Sequence, residues 1–209
     1  MSPNSEEKRP APATGAHRHF LVHKPDGVLS QLVSQAAGEA KKRKLSELHD
    51  FPAGTMAIGR LDEDSEGLLL LTTDGQLSER IRHRSSNVEK EYYAQVDGLL
   101  TDAALAQLRA GVEIGIHSGR YRTSPCAARR LESAPALAPR SRKIRDDRHG
   151  PTSWVSITLT EGKYRQVRKM TAAVGLPTLR LVRVRVGHLW LGDLAPGAVR
   201  EVAEFGFGL

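Results

Sequence analysis

Residues 58–75 read IGRLDEDSEGLLLLTTDG, which sets four carboxylates directly against four leucines. The apolar run is short and Thr72-Thr73 follows it, so it reads as a buried strand. Asp74-Gly75 then turns the chain, and Leu77 and Ile81 recur at helical spacing. Asp62, Glu63, Asp64 and Glu66 therefore occupy the loop that feeds a core strand. Gly59-Arg60-Leu61 fixes the loop at its start, and Glu66-Gly67 with the leucines returns it to the core. A carboxylate pinned at both ends is held in position, which catalysis requires and a solvated acidic turn does not.

Two other chemistries fit this loop less well. Asp62-x-Asp64-x-Glu66-Gly67 copies the opening of a calcium loop, but the twelfth position, where a bidentate Glu is needed, is Thr73. The backbone of positions seven to eleven would also be buried with the leucines, so the calcium reading fails. Glycoside hydrolysis needs two acids facing each other from different elements, and no clear second acid stands elsewhere in an apolar setting.

Working outward, 209 residues with 39% apolar and 26% charged side chains suffice for a sizeable core. The single cysteine, Cys126, excludes an internal disulfide and a Cys-based zinc site, and fits a reducing cytoplasm. No apolar run approaches the ~18 residues of a membrane span, and the N-terminus lacks a secretion pattern. Lys and Arg number 31 against 24 Asp and Glu, a formal charge of +7 that favours a polyanionic partner, nucleic acid first.

Residues 1–17 are polar and rich in Pro and Ala and read as a disordered tail. Phe20-Leu21-Val22 starts a buried strand ending in a Lys24-Pro25-Asp26-Gly27 turn. Residues 35–49 fit a short helix with a basic end, Lys41, Lys42, Arg43 and Lys44, in water. KEYYAQVDG alternates, with Tyr92, Ala94 and Val96 on one side. TDAALAQLRAG reads as a helix from a Thr101 cap to a Gly111 stop. Residues 132–151, with their run RSRKIRDDR, read as an exposed loop. SWVSITLTEG is a strand facing inward through Val155, Ile157 and Leu159. A helix follows with Val167, Met170 and Val174 as its buried stripe. TLRLVRVRVG is a strand with one apolar and one half-cationic face. The sum is an α+β fold, a mixed and mostly antiparallel sheet flanked by helices.

GRLDEDSEGLLLLTTDG resembles the signature GRLDxxTEGLLLLTNDG of the pseudouridine synthases that act on small- and large-subunit rRNA, with Ser65 for Thr and Thr73 for Asn. Four further blocks follow the family order. HKPDGV resembles NKPxGV, KEYYAQVDG resembles KxYxVxVxG, EGKYRQVRKM resembles EGRNRQVRRM, and residues 179–200 resemble the closing LxRxxxGxxxLxxLxxGxxR. The match covers residues 20–200. It implies the pseudouridine synthase fold over residues 18–204, with two sub-lobes sharing one sheet and a central cleft. Most members carry an RNA-binding module of about sixty residues ahead of the catalytic domain. Only residues 1–19 precede the match, so the resemblance implies the short large-subunit form without that module.

What the resemblance implies is isomerisation of uridine to pseudouridine in 23S rRNA or a large-subunit precursor particle, without cofactor or metal, by a cytoplasmic monomer. Asp62 is then the essential carboxylate, Arg168 the cation that keeps it ionised, and Tyr92 the ring beside the uracil. Burial raises a carboxyl pKa, so a fixed guanidinium must oppose it. Arg60 and Lys90 are expected to hold phosphate or orient Asp62. RNA binding is expected from Lys41, Lys42, Arg43, the basic residues of 140–148, Arg165, Lys169, Arg180, Arg183 and Arg185. Cys126 is expected to be a structural thiol.

Overall fold

The computed structural model describes residues 16–33, 37–83, 87–140, 142–145 and 147–208. Its strands are β1 (His19–Lys24), β2 (Val28–Leu29), β3 (Arg43–Lys44), β4 (Met56–Ala57), β5 (Glu66–Thr72), β6 (Lys90–Asp97) and β7 (Glu113–Ile116). They continue as β8 (Gly119–Arg122), β9 (Ala127–Leu131), β10 (Thr152–Leu159), β11 (Thr178–Val186), β12 (Leu189–Trp190) and β13 (Val199–Val202). The α-helices are α1 (Gly75–Arg82), α2 (Asp102–Ala110) and α3 (Gln166–Ala173). One sheet runs in the order β13-β1-β5-β11-β6-β10-β9, with β4 beside β5 and β12 beside β11. Among the described residues of this sheet only β5 and β11 pair in parallel, so the expected mixed, mostly antiparallel sheet is present; β2 and β3 form a separate parallel pair.

The leucine run makes sense in β5, where all seven residues are buried. Leu68 and Leu70 enter an apolar cluster on one face with Val182, Val184 and Phe205. Leu69 and Leu71 enter another on the opposite face with Phe20, Val22 and Leu45. A strand covered on both sides reads as continuous rather than alternating hydrophobicity. A third cluster joins α2 and α3 to β6 and β10 through Leu105, Leu108, Val155, Ile157, Val167 and Met170. The Asp74 carboxylate caps α1 by accepting from Leu77 N at 3.0 Å, and the Thr101 hydroxyl caps α2 by accepting from Ala104 N at 3.1 Å.

Three expectations are corrected. Residues 37–49 form no α-helix; two 3₁₀ turns, Ala37–Glu39 and Leu45–Glu47, flank β3. Here β2 holds the chain extended, the Glu47 carboxylate accepts from Lys44 N, and Leu45 is wholly buried. The loop over residues 132–151 is not simply exposed. Arg140 is buried against Asp26 and Glu66, Arg142 pairs with Asp26, and Arg145 pairs with Asp97. Residues 141 and 146 of that run lie outside the described residues, as do residues 1–15 of the expected disordered tail. Finally, β11 is central rather than half-solvated, so its Arg180 and Arg183 are buried too. Packing also continues past residue 204, where Phe205 is buried and Phe207 stacks edge-on against His188.

Candidate active site

The acidic loop is clamped by the turn after β1. Lys24 has no exposed surface, and its ammonium donates to the carbonyls of Val28 at 2.6 Å, Pro25 at 2.9 Å and Glu63 at 3.2 Å. Burial drives its pKa down to about 8, although Asp26, Glu66, Asp64 and Asp62 all oppose the shift. Gly27 N donates to the same Glu63 carbonyl at 2.9 Å. The buried Ser30 hydroxyl donates to Leu61 O at 2.7 Å and accepts from Leu61 N at 3.0 Å, fixing both backbone polar groups of Leu61, the residue before Asp62. Ser65 N closes the turn on Asp62 O at 3.1 Å.

The four carboxylates divide by partner. Glu66 is buried and takes a two-pronged contact from Arg180, at 3.0 and 2.9 Å. Glu63 points outward to Lys42 at 2.6 Å. Asp64 accepts from both terminal nitrogens of Arg165, at 2.8 and 3.0 Å, and these cations hold its pKa below the usual range despite burial. Asp62 differs. The nearest cation oxygen contact is Arg165 Nη1 at 3.6 Å, longer than a hydrogen bond. Burial pushes its pKa up, Arg165, Arg168 and Lys24 oppose the rise, and Asp64 adds to it. Two carboxylates two residues apart are thus driven in opposite directions, one held in a two-pronged ion pair and the other without a cation at hydrogen-bond distance.

Arg168 was expected beside Asp62. It does oppose the rise in the Asp62 pKa, while its Nη2 donates to the Asp64 carbonyl at 2.7 Å and lies 3.3 Å from the Asp64 carboxylate. Arg165 comes nearer to Asp62, from a residue that precedes α3 in a left-handed conformation, φ 52° and ψ 37°. A non-glycine residue rarely adopts that geometry unless its surroundings enforce it. They do so here: Gln166 accepts from Lys163 N at 2.8 Å and donates to Glu161, which also accepts from Tyr121 Oη and Ser124 N. The EGKYRQ turn is therefore rigid before α3 begins.

Sheet register brings the remaining parts together. One cross-strand row joins Lys24 on β1, Gly67 on β5, Arg183 on β11, Tyr92 on β6 and Ile157 on β10. Tyr92 packs between two clusters, one of which contains Leu61, the neighbour of Asp62. Beside it opens a cleft of about 350 Å³ lined by Arg60, Arg82, Lys90, Lys163 and Arg183, with Ile58, Ile81 and Val186 as apolar walls. Lys90 donates to Thr160 O at 3.0 Å, and burial together with Arg183 lowers its pKa to about 8.

The residues expected to meet RNA separate into two sets. Arg60, Lys90 and Arg183 line the cleft, and Lys41, Lys42 and Arg43 are exposed, Lys42 and Arg43 within reach of Glu63 and Glu47. Lys169 sits on α3, donating to Gly115 O. Arg180 and Arg185 do not fit the expectation. Arg180 is committed to Glu66, and Arg185 to Glu89, Glu91 and the carbonyl of Gly187. Arg183 reaches the cleft while its Nε donates to Leu68 O at 2.7 Å. Cys126 lies against Leu108 O, and burial raises its thiol to about 11, an inert setting.

Lys24, Ser30 and Gln166 escaped the sequence reading as site residues, and Arg140, expected among the RNA-binding cations, is instead paired with Asp26 and Glu66. Lys24 carried a signal, a lysine at the inner end of an otherwise apolar strand. Among the described residues no cluster of three or more His, Cys, Asp or Glu could hold a metal, and no helix is long and apolar enough to cross a membrane.

Comparison with known proteins adds to this geometry. Residues 18–173 match the family model described as RNA pseudouridylate synthase. The chain is 46% identical over 180 residues to ribosomal large subunit pseudouridine synthase E of Xanthomonas campestris pv. campestris, covering 86% of this chain and 92% of that one. It is 39% identical over 204 residues to the protein of the same name from Vibrio vulnificus, covering 96% and 81%. A solved structure described as a crystal structure of pseudouridylate synthase superposes with a TM-score of 0.69 at 26% identity, covering 89% of this chain and 70% of that one.

Proposed function

The chain belongs to the RNA pseudouridylate synthase family, and from that premise we propose that it converts uridine to pseudouridine in 23S rRNA, with Asp62 as the reacting carboxylate. The bond between ribose C1′ and uracil N1 breaks, the base turns, C1′ joins C5, and the C5 proton leaves while N1 gains one. Atoms and electrons balance without an oxidant or reductant.

The observation that carries the assignment is the contrast between Asp62 and Asp64. Asp64 neutralises Arg165 through a two-pronged pair, so Asp62 is oriented by the same guanidinium at 3.6 Å without being consumed by it. A carboxylate with a raised pKa is more basic and more nucleophilic than one locked in an ion pair. Tyr92 offers its ring to the uracil, and Arg60, Lys90 and Arg183 give the cleft the charge that a phosphate requires. A uridine in a stacked segment reaches Asp62 only when flipped out, at a cost of a few kcal/mol that these contacts offset. The E-type relatives act, by name, on the large ribosomal subunit, which supports 23S rRNA as the substrate and the cytoplasm as the place of action.

Protein-free 23S rRNA labelled with tritium at uridine C5 should release label with the wild-type chain and none with Asp62→Asn, which should still bind. Release from 16S rRNA or tRNA alone would change the substrate and keep the chemistry. Absence of release from any of them would remove the enzyme.

A further inference from the structure

Tyr164 is the most exposed large apolar side chain among the described residues, at 75% of its full surface. It is nonetheless not loose. The Lys169 ammonium lies 5.2 Å from its ring centre and is itself anchored to Gly115 O at 2.7 Å, so a fixed cation supports the ring. The backbone on either side is held by the Glu161 and Gln166 contacts of the EGKYRQ turn. Lys163, one residue earlier, lines the cleft with Tyr92, and Arg165, one residue later, reaches Asp62. Tyr164 is thus carried on the turn that links the cleft-lining Lys163 to Arg165 beside Asp62, with the Lys169 ammonium against its ring.

We propose that Tyr164 stacks on the nucleobase adjacent to the target uridine and so contributes to substrate selection. This rests on the reading that the substrate is RNA. Flipping one nucleotide toward Asp62 removes a stacking partner from its neighbour, and an aromatic face at the entrance replaces it. A solvent-facing ring backed by the Lys169 ammonium, on a turn that also carries Lys163 at the cleft, matches a base joined to phosphates on both sides better than it matches an apolar peptide. Stacking needs the π-face and not the hydroxyl. Phe and Trp should therefore substitute and Ala should not.

The test uses the tritium-release assay on protein-free 23S rRNA together with equilibrium binding in an Asp62→Asn background. Tyr164→Ala should raise KM about tenfold with kcat little changed, and weaken binding by the same factor in the inactive background. Tyr164→Phe and Tyr164→Trp should stay within about twofold of wild type, within the scatter of a stacking exchange. The slope of log Kd against log salt should not change with Tyr164→Ala, because no phosphate contact is lost. Unfolding should not move, since the ring is exposed. Unaltered KM and binding in Tyr164→Ala, or a loss that Phe shares, would overturn the proposal. Failure of wild type to release label would count against the assigned reaction instead, and the binding measurements in the inactive background would still decide the stacking role.

Discussion

Gly67 and Arg183 approach so closely that a β-carbon on Gly67 would lie 2.2 Å from the Arg183 carbonyl oxygen and 2.7 Å from its nitrogen. They form half of the two-pair parallel contact between β5 and β11, the seam that sets the acidic loop against the turn before α3. Gly67 also has φ +107°, which a side chain disfavours in its own right.

Gly67→Ala should therefore destabilise the protein by more than about 3 kcal/mol, because the clash is with backbone and cannot be relieved by a rotamer change. Denaturant unfolding reads this directly. A variant with wild-type stability would show that the seam can open without cost.

Asp62→Asn should abolish turnover and raise thermal stability at neutral pH. A carboxyl whose folded pKa is raised above 3.8 costs stability when ionised, and the cost disappears as pH falls below the unfolded value. The gain in Tm should thus be largest at pH 7 to 8 and vanish near pH 3, as calorimetry across that range would reveal.

Arg165 and Arg168 should separate in their effects. Arg165→Met removes the largest influence opposing the Asp62 rise, so the acid limb of kcat/KM should move to higher pH. Arg168→Met removes the nearer of two donors to the Asp64 carbonyl, leaving Arg140 Nη2 at 3.2 Å, and should chiefly lower stability, by about 1 kcal/mol. A pH–rate profile that shifts with Arg168 and not with Arg165 would restore the sequence expectation.

Asp26 is buried between Arg140 and Arg142, and these hold its pKa down to about 2. Its contribution is present above the unfolded value of 3.8 and is lost as pH falls through about 2. Asp26→Asn should cost about 3 kcal/mol at pH 7 and flatten acid unfolding over that window, since Arg140 and Arg142 both lose their carboxylate and Arg140 keeps only the longer of its carboxylate contacts, to Glu66 at 3.5 Å.

Salt titrations of RNA binding should distinguish working cations from structural ones. Arg60→Ala should reduce the slope of log Kd against log salt by about one, the signature of a lost phosphate contact. Arg185→Met should leave the slope unchanged, because Glu89 and Glu91 already neutralise that guanidinium.

Local pattern determined a good deal here. The leucine run had to be a strand, Thr101 had to cap a helix, Asp74-Gly75 had to turn the chain, and Asp62 had to sit in a loop fixed at both ends. These follow from neighbours a few residues apart. What only the tertiary structure decided was which charge meets which. Glu66 and Arg180 are 114 residues apart, as are Asp26 and Arg140, and no periodicity in either segment announces the pair. Arg165 comes nearer to Asp62 than Arg168 does, from a left-handed backbone position that an RQVR string does not disclose. Cations that look free in a basic chain are neutralised wherever strand register lays them beside buried acids, since an unpaired charge in the core costs far more than a solvated one.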